Sequence, residues 1–246
     1  EQSSKLIPVI DLILKSVTNE NGLEEHYSLS NKVQALGFMA SSIERFNLTI
    51  FESFPEVIKF AVNLYTKIVL DEVVAFISKA TASICLLLKT SANLFMPSLS
   101  QLWKLMVSPI VIDQDEQLFK MVNDSMITTT KDVQISPELT KAFLNAYKEN
   151  EDNYSSIILI FDALSNSLKN SEQRPININL QRIIKFFVVA FANKFNTNAN
   201  LTANEIKFLE NDYEEKLGIQ NSMIDSFCVL LTQLDPKNVR MSIRKV

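Results

Sequence analysis

Glycine is nearly absent from this chain: 246 residues hold three, at positions 22, 37 and 218. An all-β domain of that length needs many glycine-rich turns, so the scarcity points to helices joined by short connections. It also removes the phosphate-cradling loops. G-x-x-x-x-G-K-[ST], G-x-G-x-x-G and G-x-S-x-G are all missing. Histidine occurs once, as His26 in the polar stretch NENGLEEHYS at 19–28. A hydrolase needs a base beside its nucleophile. His26 follows Glu24 and Glu25 and reads as a solvated loop residue, so no catalytic role is expected.

Cysteine is also scarce. Cys85 and Cys228 lie far apart inside apolar runs, and a secreted disulfide framework would need more and closer cysteines. Both read as buried free thiols in a reducing compartment, nuclear or cytoplasmic. One histidine and two distant cysteines cannot assemble a structural zinc site. Asp113, Asp115 and Glu116 are neighbours, but no glycine follows as in a calcium loop, so they read as an acid-rich helix start. No metal, cofactor or small-molecule substrate is expected.

There is no excess of positive charge: 24 Lys and Arg stand against 28 Asp and Glu, a net −4. Nucleic-acid binders usually carry a basic excess, so binding of RNA through bulk charge is disfavoured. Long apolar runs are lacking too. The strongest, 183–192 and 80–88, are too short to span a bilayer, and Lys185 interrupts the first, so no membrane insertion is expected. No signal peptide opens the chain, and its last residues fall within a helical pattern, so it is expected to be a segment of a longer protein. Asparagine is abundant. The sequons at Asn47, Asn123, Asn153 and Asn200 are then expected by chance and read as unglycosylated.

Against these absences stands one strong periodicity. Prolines fall at Pro8, Pro55, Pro97, Pro137 and Pro175, with spacings of 47, 42, 40 and 38 residues. The segments that follow read PVIDLILKSV, PEVIKFAVNLY, PSLSQLWKLMV, PELTKAFLNAY and PININLQRIIKFF. Proline lacks an N–H and holds φ near the helical value, so it suits a first helical turn. Apolar residues follow at helical spacing: Val57, Ile58, Ala61, Val62 and Tyr65, and likewise Leu99, Leu102, Trp103 and Met106. A second set of helices is expected between them, at 29–46, 71–89, 114–130, 153–169 and 202–217. Asp71 and Asp113 are expected N-caps, and Thr202 to Glu205 fits a capping box. Gly37 reads as a close-packing position and Gly218 as a helix C-cap. A further first helix is expected at 219–234.

Two amphipathic helices cannot bury their shared apolar face alone, whereas stacked pairs make one continuous core. The chain therefore reads as all-α, with two-helix units at 5–47, 51–91, 94–131, 136–170 and 175–217, and an incomplete one at 219–246.

The tail carries a resemblance. An apolar helix, Met223 to Leu234, is followed by Asp235-Pro236 and then Val239-Arg240. This resembles the turn of a HEAT repeat, in which Asp-Pro is often followed by Val-Arg, and VQALGFMASSIERF is similar to a second HEAT helix. The other units lack the Asp and Arg and would be degenerate HEAT or armadillo-like repeats. The resemblance implies an α-α superhelix, a solenoid of five to six units that binds other macromolecules. The expected function is a non-catalytic protein–protein scaffold within a multi-subunit assembly. The alternatives are a nuclear transport receptor segment that grips cargo or a small GTPase, an RNA-binding array in ribosome assembly, and a rod from a vesicle-tethering complex. The residues singled out for partner binding are Trp103, as an anchor in a groove or else a core residue, and Arg240, Arg244 and Lys245, as a basic end for an acidic partner or else the polar edge of a unit.

Overall fold

The structure is a computed structural model that describes residues 2–18, 29–46, 55–195 and 213–234. Every regular element among these is an α-helix: α1 (Gln2–Thr18), α2 (Leu29–Phe46), α3 (Pro55–Leu70), α4 (Val74–Met106), α5 (Pro109–Ile112), α6 (Glu116–Asp132), α7 (Pro137–Glu149), α8 (Tyr154–Asn170), α9 (Gln173–Phe195) and α10 (Tyr213–Gln233). The described residues adopt the expected all-α class.

Proline opens helices at Pro55, Pro137 and, unexpectedly, Pro109, which starts the four-residue α5. Elsewhere the proline rule is overridden. Pro8 lies inside α1 and Pro97 inside α4. In α4 the backbone breaks at Ser91, with φ −149° and ψ 36°, instead of at Pro97. The apolar run from Ala92 onward enters the helix before the proline, with Ala92 and Phe95 buried. Burial of that turn outweighs the hydrogen bond Pro97 cannot make.

Side-chain caps fix other starts. Asp115 Oδ1 accepts from Leu118 N (2.7 Å), Ser136 Oγ from Leu139 N (3.1 Å) and Asn153 Oδ1 from Ser156 N (2.8 Å). The expected caps Asp71 and Asp113 do not form. Asp71 sits in a turn whose next residue, Glu72, has φ 52°, and α4 starts at Val74 without a side-chain cap. Asp113 instead ends α5, its N–H donating to Pro109 O.

The helices pack in two rows. The Ser91 break divides α4 between them. Its first half lies against α2 and α6, and its second half against α3 and α7. One row runs α1, α3, second half of α4, α7, α9. The other runs α2, first half of α4, α6, α8, α10. A single hydrophobic cluster reaches from Ile10 to Leu234 through every long helix.

Polar clasps tie each helix pair to the next. Gln101 Nε2 donates to Thr66 Oγ1 (2.8 Å), Asn145 Nδ2 to Ser100 Oγ (2.7 Å), and Asn166 Nδ2 to Thr130 Oγ1 (2.7 Å). Ile135 N donates to Ser171 Oγ (2.8 Å). These partners are 35, 45, 36 and 36 residues apart. At the last step the separation jumps. Ser226 Oγ donates to Phe161 O and Ser222 Oγ to Asp162 Oδ1, 65 and 60 residues apart.

That jump marks a correction. The expected break between a helix ending at 217 and one starting at 219 is absent: α10 runs from Tyr213 through Gly218 and stacks on α8, while 202–212 lies outside the described residues. Gly218 is therefore a helix-interior residue and not a C-cap. Residues 219–233 belong to the second row, not to the first helix of a sixth unit. The capping box at Thr202 and Glu205 lies outside the described residues.

Two helical segments, Val74–Met106 and Gln173–Ala192, are long and apolar enough to cross a membrane, with mean hydropathies of 1.3 and 1.2. The isolated runs in the sequence are shorter than these helices, because apolar turns continue through the lysines and serines between them. The first segment bends at Ser91, and its halves are flanked by neighbours in both rows. A helix sandwiched in this way is apolar around its girth.

Candidate interaction groove

Trp103, one of the sequence-derived candidates, is fully buried. Its ring lies 5.0 Å from that of Phe143 at an interplanar angle of 53°, joining the second half of α4 to α7. It offers no surface to a partner, so the packing reading describes it. Arg240, Arg244 and Lys245, with the Asp235-Pro236 turn, lie outside the described residues, as does His26.

The two cysteines differ. Cys85 is buried and Cys228 is exposed, which corrects the expectation of two buried thiols. Burial pushes the Cys85 thiol up to about 12, partly offset by the Ser125 hydroxyl and reinforced by the charge of Asp124. Such a thiol is not a nucleophile at neutral pH. Tyr65 is raised as well, chiefly by burial, and its hydroxyl shares a 3.1 Å hydrogen bond with Thr81 between α3 and α4. Among the described residues no group of three or more His, Cys, Asp or Glu side chains is placed to hold a metal ion.

Sequence reasoning missed a groove in the second row. It runs between the first half of α4 and α6 and encloses about 720 Å³. Ala82, Cys85, Leu86 and Lys89 line one side; Gln117, Lys120, Met121, Asp124, Ile127, Thr128 and Lys131 line the other. Both sets follow the i, i+3, i+4, i+7 spacing of one helix face. Leu86, Met121 and Ile127 supply the apolar lining, and Met121 is 38% exposed. At the bottom Ser125 is 4% exposed, with its hydroxyl beside the Cys85 thiol.

Lysines rim the groove. Lys89 lies near the end of the first half of α4, and Lys120 and Lys131 stand toward opposite ends of the α6 face. Three lysines against one aspartate leave the lining at +2 (3 − 1), on a chain of net −4. Lys89 pairs with Glu44 (3.0 Å) and Lys120 with Glu116 (2.6 Å), both at the surface. Exposed pairs of this kind are worth ~0.2–1 kcal/mol and exchange readily.

No protein-family model matches this chain, and no curated protein or solved structure is significantly similar to it.

Proposed function

We propose that this chain is a HEAT-like α-solenoid segment that works as a non-catalytic protein-binding scaffold in a multi-subunit assembly of the nucleus or cytoplasm. One observation carries the reading. Successive helix pairs are clasped to one another at 35–46 residues by side-chain amides and hydroxyls, over a core shared from end to end. Stacking of that kind commits most side chains to neighbours and leaves long helical faces for partners.

Chemical cross-linking of the protein to its partners in extract, with the linked residues identified by mass spectrometry, tests it. Cross-links should concentrate on exposed faces of α2, the first half of α4, α6 and α8. Absence of any specific partner on any face would reject the scaffold role. Solution scattering tests the shape separately, because a curved superhelix and a straight rod give different envelopes.

A further inference from the structure

From the groove between α4 and α6 we infer a specific class of partner: an acidic amphipathic α-helix of three to four turns, anchored by apolar residues at its centre and carrying carboxylates at both ends. This inference rests on the scaffold reading and names what one face of the scaffold holds.

Three features of the groove select that partner. Its walls are two helix faces stacked side by side, a shape that accepts a third helix along the seam. Its lining is aliphatic and thioether on both sides of Asp124, with Leu86 on one wall and Met121 and Ile127 on the other. Methionine adapts to several anchor shapes and is favoured on surfaces that receive helices. Its cations stand toward the ends. Lys120 and Lys131 are eleven residues apart on α6, or ~16 Å along the axis at 1.5 Å per residue. A bound helix meets both when its acidic residues are about three turns apart.

The lysines gain from such an exchange. Each is tied at most to an exposed carboxylate of its own neighbourhood, and a partner that covers Leu86 and Met121 also shields the new ion pairs from water. Lys89 and Lys131 lie in the last turns of their helical segments, where the backbone carbonyls already attract positive charge. Nucleic acid fits the groove less well. Single-stranded RNA is held by aromatic platforms, and no aromatic residue lines this surface.

The test uses the whole chain and two synthetic probes. One is a 16-residue helical peptide with leucines at i, i+4 and i+7 and glutamates at both ends; its twin has lysines in place of the glutamates. Fluorescence anisotropy should show the acidic peptide binding at least tenfold more tightly than the twin, and weakening as salt is raised. Met121→Asp should weaken the acidic peptide by tenfold or more, and Lys131→Glu by about fivefold. Both positions are exposed, and circular dichroism checks that the helices persist. Equal binding of the two peptides, no binding, or affinity unchanged in both variants would overturn the inference. So would a single-stranded RNA oligomer that binds with the same dependence on Met121. A failed peptide experiment accompanied by partner cross-links on other helices removes this inference and leaves the scaffold function standing.

Discussion

The side-chain amide of Asn150 donates to the backbone carbonyl of Lys104 at 3.0 Å, joining the end of α7 to the end of α4 across 46 residues. Asn150 also donates to Ala146 O at 3.0 Å, and it is 6% exposed. It thus serves a helix end and an inter-unit joint together. Asn150→Asp keeps the shape but loses both donors and buries a carboxylate against two carbonyls. It should destabilise the protein more than Asn150→Ala, which is expected to cost about 1–3 kcal/mol. Urea unfolding of the three proteins ranks them; equal midpoints would remove the joint's importance.

Trp103 gives the second prediction. It is wholly buried against Phe143, and its indole N–H has no acceptor in the structure. Trp103→Ala should cost about 3–5 kcal/mol, through the cavity it leaves between α4 and α7. Trp103→Phe sacrifices volume but no hydrogen bond, so its cost should be clearly smaller. Thermal melts followed at 222 nm separate the two, and a tolerated alanine would place Trp103 outside the core.

The two helical glycines share one substitution test. A methyl group on Gly37 would lie 3.6 Å from Ser83 Oγ, an ordinary contact, and at Gly218 nothing lies within 4 Å. Both Gly37→Ala and Gly218→Ala should therefore stabilise by roughly 0.5–1 kcal/mol through helix propensity and a stiffer unfolded chain. Were Gly218 the left-handed cap of a shorter helix, alanine there would destabilise instead. The sign of the change in denaturation midpoint decides the matter.

Thiol labelling separates the cysteines. Cys228 is exposed, while Cys85 is buried with its thiol pushed up to about 12. In native protein at pH 7.5, a maleimide should modify one site, found by peptide mapping to be Cys228. Cys85 should react only after denaturant is added. Rapid modification of both would show the α4–α6 seam to be open.

Asp162 supplies a pH dependence. Its outer side meets solvent, yet desolvation of the rest raises its pKa above the usual carboxylate value. The Ser222 hydrogen bond (2.9 Å) and Lys169 counter this only in part, and Asp225 adds to it. A carboxyl whose folded pKa lies above its unfolded one favours the folded state at low pH and withdraws that contribution as pH rises through the folded value. Asp162→Asn keeps an acceptor for Ser222 and cannot ionise. Its melting temperature relative to the unmodified protein should thus increase from pH 4 to pH 7. A difference that stays flat with pH would show that the carboxyl is unperturbed.

Helix α2 was legible to the residue, and α8 within one, because each is amphipathic from end to end and bounded by polar residues. The misplaced helix boundaries at Pro97 and Gly218 share one cause. Pro97 and Gly218 were read as local stop or start signals, each worth ~1–3 kcal/mol. Phe95 in one case, and Ile219 and Met223 in the other, bury against neighbouring helices, and that burial carries the helix through. The groove was hidden for a related reason. Leu86 and Met121 look like any other apolar position, and only packing shows that their faces are left partly uncovered.

The sequence by itself determined the helical class and the span of its most evenly amphipathic helices. Turn-poor composition and apolar spacing act within a few residues of the chain, so they can be read without coordinates. Which row each helix joins, where α4 bends, that α10 stacks on α8, and that three lysines surround an apolar seam were decided only by tertiary structure. Those features depend on residues 35–65 positions apart competing for the same buried surface, and no local pattern records the outcome of that competition.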